Sequence, residues 1–236
     1  MITGFSGHLI SEQFLEQRIA DLSRDQPPTA LQTEFRQCRE RQHWLGPAST
    51  VRALLESAAA PIVNTLGFLV VADVDILDDA AVATLRSDGG SVVIVVTNWG
   101  ERLDRWWRLA VVEAGRRGAS WCLLFNGTHL RLVNAVRVFS RRFVEFDLDC
   151  AADDDRTFCA MRMLMTAEAL TPPATIDDAH VDTLVGLSER HASDVCRSLR
   201  DGVLAASEHV LRALVARPHD QPGSSERALV HRHELE

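Results

Sequence analysis

The sequence predicts an α/β protein with a mixed central sheet flanked by helices and a C-terminal helical extension. Three observations carry this. Val92 to Val96 is an unbroken β-branched run, the mark of a strand buried on both faces. Leu103 to Arg117 places Leu103, Trp106, Trp107, Ala110 and Val112 among arginines in an amphipathic helical pattern. Trp121 to Phe125 and His129 to Val133 read as two strands joined by Asn126-Gly127, the strongest short hairpin signal.

The remaining elements follow in chain order. Ser11 caps a helix carrying Phe14, Leu15, Ile19 and Leu22, and Gln26-Pro27-Pro28 breaks it. Residues 29–43 form a polar, arginine-rich helix. Ser49 or Thr50 caps VRALLESAAAPIVNTL, in which Pro61 bends the helix and Gly67 ends it. Phe68 to Leu77 is a strand ending in acids. The polar turn Ser87-Asp88-Gly89-Gly90 pairs it directly with the valine run as an antiparallel hairpin. Arg141 to Leu148 alternates and reads as an edge strand. Asp153, Asp154 and Asp155 open a further helix, where acids complement the helix dipole. Thr171-Pro172-Pro173 is a linker, Ile176 to Ala216 is helical, and the Pro/Gly/Ser/His-rich tail is disordered. The segments divide as an N-terminal helical part (1–48), an α/β core (49–170), a helical connector (171–216) and a tail (217–236).

Composition narrows the class. The chain has 236 residues and a net charge of −8, so in bulk it repels nucleic acid while leaving room for a local basic patch. No apolar run is long enough to span a membrane and no signal peptide opens the chain, so a cytoplasmic protein without a membrane partner is expected. The five cysteines form no paired motif and are expected to be reduced. All 25 basic residues are arginine; without lysine, no ammonium group is available from a side chain. Neither the histidines nor the glycines show metal-ligand or phosphate-loop spacing.

Helix, strand ending in Asp, turn, buried strand, helix, strand, strand resembles the restriction-endonuclease-like core, the PD-(D/E)xK nuclease fold. More narrowly, Trp99-Gly100 with Leu103-Asp104, then Phe125-Asn126-Gly127 and Phe146-Asp147-Leu148, resemble the nuclease-like region of type IIG and type I-like restriction–modification enzymes. SERHASDVCRSLRDGVLAASEHVLRAL resembles the connector that leads to their methyltransferase domain. The resemblance implies a role in restriction–modification or phage defence, contact with DNA, and a methyltransferase domain or subunit as partner. A homodimer is left open.

In that family a Glu and a Lys two residues apart meet the Asp, and the carboxylates hold Mg²⁺, which activates the attacking water. Carried over from Trp99-Gly100, the Glu falls on Val95 and the Lys on Thr97, and neither side chain does that chemistry. The expectation is therefore a degenerate pseudoenzyme, with Asp73 or Asp75 as the surviving acid. Two other readings stand beside it. In an active Mg²⁺-dependent endonuclease, Asp73, Asp75 and Glu101 or Glu56 would be catalytic, Asp73 and Asp75 would hold the metal, and an arginine would replace lysine. The third is a protein-interaction module with no nucleic-acid role. Arg102, Arg105, Arg116 and Arg117, on or beside one helix, are the candidate DNA contacts.

Overall fold

A computed structural model describes residues 1–22, 29–137, 141–171 and 180–215. The expected tail and most of the Pro172-Pro173 linker lie outside them. The described residues hold one seven-stranded mixed sheet in the order β1-β7-β6-β5-β4-β3-β2. Chain order runs β1 (Phe5–Gly7), α1 (Glu12–Leu22), α2 (Thr29–Arg41), α3 (Val51–Leu54) and α4 (Ala60–Thr65), then β2 (Val70–Ile76), β3 (Ala80–Ser87) and β4 (Gly90–Thr97). A 3₁₀ turn, Leu103–Trp106, leads into α5 (Trp107–Arg116), and β5 (Trp121–Phe125), β6 (His129–Asn134) and β7 (Phe143–Asp147) follow. The helices α6 (Leu148–Asp153), α7 (Asp155–Met165), α8 (Ala167–Leu170) and α9 (His180–Val215) complete the series. Among the described residues no helix is long and apolar enough to cross a membrane.

Local chemistry explains most boundaries. Asp147 caps α6 by accepting from the amides of Asp149 and Cys150, and Asp154 caps α7 by accepting from that of Thr157. A π turn over Leu55–Ala59 links α3 to α4 just before Pro61, so the bend expected at the proline is taken up ahead of it. Gly127 of the β5–β6 turn has φ +87°, and a Cβ there would stand 2.3 Å from the Trp99 ring. The turn therefore needs glycine for conformation and for space.

The sheet is buried on both sides. Val92, Ile94 and Val96 of β4 join a large core with helices α1 to α4, α6 to α8 and the first turns of α9. Val93 and Val95 point the other way, into a smaller core under α5 with Ala110, Ala114 and Leu124. The parallel β4–β5 pair is bridged by α5, as a parallel connection requires.

Two expectations need correction. The strand ending in acids does not pair with the valine run: β3 lies between β2 and β4, antiparallel to both. Its sequence, AAVATLRS, is poor in large β-branched residues and does not alternate, yet both of its faces are buried. Second, Phe143–Asp147 is not an edge strand, because β1 pairs with its far side. The chain divides into two units at His191/Ala192, inside α9. The described residues up to His191, N-terminal helices included, form one unit, and those from 192 to 215 belong to a second.

Candidate functional site

On the α5 side of β2, β3 and β4 lies a cavity of about 520 Å³, its lining including Asp73, Asp75, Thr84, Arg86, Arg116 and Arg117. A β-bulge builds its rim. Between Ala72 (opposite Thr84) and Asp75 (opposite Val82) strand β2 gains one residue, and Asp73 takes φ 49°. Asp tolerates the left-handed region better than most side chains, which is why the bulge can sit there. The bulge shifts the alternation of β2, so that Ala72 and Asp75, three residues apart, stand opposite Thr84 and Val82 on one face.

Both acids are engaged by arginines. Asp73 accepts from Arg86 at 3.0 Å, and Asp75 accepts from Arg116 at 2.8 Å and Arg117 at 2.6 Å. The Arg117 side chain is only 10% exposed. It also donates to the Asp73 carbonyl at 2.6 Å, to the Thr84 hydroxyl at 3.1 Å and to Glu113 at 3.4 Å. Arg86 and Arg116 bond through one terminal nitrogen each, which leaves further N–H donors at the cavity.

The structure does not gather the other predicted catalytic carboxylates here. Asp75 is level with Val82 and, across β3, with Val95, about two strand spacings or 10 Å away. Glu101 lies beyond the end of β4, where its Oε1 accepts from Arg105 and its carbonyl accepts from the Asn126 side chain. Its Oε2 is buried without a hydrogen-bond partner. Glu56 pairs with Arg52 on the exposed side of the α3 region. Among the described residues no group of three His, Cys, Asp or Glu side chains is placed to hold a metal.

Val95 and Thr97, where the resemblance would put a Glu and a Lys, are buried in β4. Thr97 sits opposite Ala80, with its hydroxyl 3.5 Å from the Phe125 carbonyl. The strand beside β4 is therefore β3, and the acids at its head are Asp78 and Asp79. Both are exposed and make no ion pair among the described residues. In the sequence they directly follow the strand ending in acids, and only β3 makes them the start of a new strand. A pair of acids immediately before an eight-residue strand was the available signal.

Of the candidate DNA contacts, Arg102 pairs with Asp104, Arg105 with Glu101, and Arg116 and Arg117 with Asp75 and Glu113. Arg108 is exposed and carries no ion pair among the described residues. A second cluster was missed. Arg131, 7% exposed in its side chain, donates to Glu145 at 2.6 Å and to Asp104 at 2.8 Å, with its guanidinium carbon 3.9 Å from the Phe143 ring centre. The hydrogen bond from Arg131 holds the Asp104 carboxyl below its ordinary value, against a smaller opposing effect of burial.

Comparison with protein families, with curated proteins and with solved structures finds no match for this chain.

Proposed function

We propose that this chain is a nuclease-like module of a restriction–modification or phage-defence system. It has lost phosphodiester cleavage and contacts duplex DNA beside a methyltransferase domain or subunit. The observation that carries the reading is the succession β2-β3-β4-α5-β5-β6 as neighbouring strands with one parallel pair, combined with buried Val95 and Thr97 on β4. That succession supports a restriction-endonuclease-like core, with Asp79 replacing Asp73 and Asp75 as the acid beside the degenerate strand.

Cleavage by this fold needs a metal-held water and a positive charge beside it. Valine offers no ligand, and the Thr97 hydroxyl is buried against a backbone carbonyl. Asp78 and Asp79 alone would leave Mg²⁺ dependent on phosphate and water oxygens. Contact with DNA would fall to Arg86, Arg108 and Arg116, whose guanidinium groups retain donors that suit phosphate oxygens.

The test incubates purified protein with supercoiled plasmid and Mg²⁺ or Mn²⁺, and separately measures duplex affinity against salt. Uncut plasmid, with salt-dependent binding that weakens in Arg86→Ala and Arg116→Ala, is the expected result. Cutting that disappears in Asp79→Ala overturns the loss of catalysis. Absence of binding even at low salt overturns the DNA role and favours a module that meets protein alone.

A further inference from the structure

The second unit presents an apolar surface that its own helix does not cover. Every residue of α9 from 192 to 215 is exposed. Yet Leu199, Val203, Val210 and Leu214, each 57–65% exposed, share one helical face, with Leu204 and Leu211 flanking them. Val181, Leu184, Val185 and Ser188 earlier in α9 occupy the same face and are buried. The stripe is thus a continuation of a packing surface. A contiguous apolar face of this kind marks an interaction site.

Charge selects the class of partner. Within 192–215, Arg197, Arg200 and Arg212 balance Asp194, Asp201 and Glu208, so the segment is neutral. Each arginine is already paired along the helix, to Asp194, Asp201 and Glu208 in turn. The segment therefore offers no net charge to nucleic acid, to an anionic membrane or to a charged protein surface. What remains is apolar and self-complementary. Cys196, Leu199, Val203, Ala206, Val210 and Ala213 follow alternating steps of three and four, the a/d pattern of a helix pair. The segment spans about 36 Å and about three and a half heptads, the length at which such pairing becomes viable.

We infer that this face of α9 binds the same face of a second copy of the chain, antiparallel. Two observations fix the direction. Residues 1–191 hold 19 arginines against 26 Asp and Glu, a net −7. A parallel pair would bring these two like-charged segments to the same end of the helices, and an antiparallel pair puts them at opposite ends. The antiparallel register also brings every stripe residue against another apolar or small one: Leu199 faces Val210, Val203 faces Ala206 and Cys196 faces Ala213, each pair occurring twice. This inference is independent of the nuclease-like reading.

The experiment is sedimentation of the full chain over about 1–100 μM, the range in which modest helix pairs associate. A dimer is expected. Leu199→Glu with Val203→Glu returns it to monomer without loss of helical circular dichroism, because both side chains are exposed within one chain. Ala205→Glu, on the opposite side of the helix, leaves the dimer intact. Ala213→Cys under a mild oxidant forms an interchain disulfide with Cys196, and the unmodified chain does not crosslink through Cys196. A wild-type monomer across the range overturns the proposal. So does a dimer unaffected by the double glutamate variant, a dimer that crosslinks through Cys196 alone, or a monomer that dimerises only after residues 216–236 are removed. That last outcome would assign the face to the tail.

Discussion

Helix α5 is clamped to the sheet at both ends by arginine–carboxylate clusters of opposite polarity. Before its first turn the acid comes from the helical side: Asp104 accepts from Arg131 of β6, which also holds Glu145 of β7. Past its last turn the cation comes from the helical side: Arg117 donates to Asp75 of β2. Acid at the start and arginine at the end both complement the helix dipole. The clusters differ in their setting. Arg131 lies between paired interior strands, in direct register with Glu145 and under the Phe143 ring. Arg117 meets an outermost strand distorted by a bulge, although Asp75 is no more exposed than Asp104. The same chemistry thus gives a tie between registered interior strands in one place and a cavity with spare donors in the other.

Removing each arginine sharpens the contrast most. Arg131→Met leaves Glu145, 16% exposed, without its cation, and breaking a mostly buried pair on one side costs up to about 3–5 kcal/mol. Urea unfolding should show a loss of that size, and adding Glu145→Leu should restore most of it. Equal stability of Arg131→Met and wild type would mean that the interior cluster is no tie at all. Arg117→Met should cost less, about 1–2 kcal/mol, because Asp75 can rehydrate while the Thr84 and Asp73 oxygens lose a donor. A loss matching that of Arg131→Met would erase the distinction between the two settings.

Smaller effects refine it. Asp73→Gly removes a left-handed aspartate worth about 1 kcal/mol of strain and an exposed ion pair worth at most about 1 kcal/mol. Thermal denaturation should therefore barely change, whereas Asp73→Val should be clearly destabilised. The smallest effect is a pH dependence. The folded Asp104 carboxyl titrates below its ordinary 3.8, so its stabilisation is complete above that value and drains away as pH falls through the folded value. The stability deficit of Asp104→Asn, measured by urea at pH 7 and again below pH 3.8, should shrink at the lower pH.

The legible parts of the fold were those with a strong local signal. The valine run of β4, the Asn126-Gly127 turn and the amphipathic α5 each announce themselves within a few residues. Strand β3 did not, because AAVATLRS is stabilised by neighbours on both sides rather than by its own propensity. Strand β1 spans three residues, too few for any periodicity. Without β3, Asp78 and Asp79 had no place in the fold, because their position at its start is a consequence of pairing that no short window can reveal. The Arg131 cluster was hidden for a similar reason: Arg131 and Glu145 are 14 residues apart and meet only through the β6–β7 register.

The bulge at Asp73 has an effect beyond the cavity. Strand β2 ends the sheet, and its outer backbone groups are open, with Val74, Ile76 and Leu77 about half exposed beside them. A flat strand of that composition would invite a neighbouring molecule to extend the sheet and seed aggregation. The extra residue twists the edge out of register, and the exposed Asp78 and Asp79 add negative charge at its end. The distortion that shapes the rim of the cavity also keeps the sheet from growing.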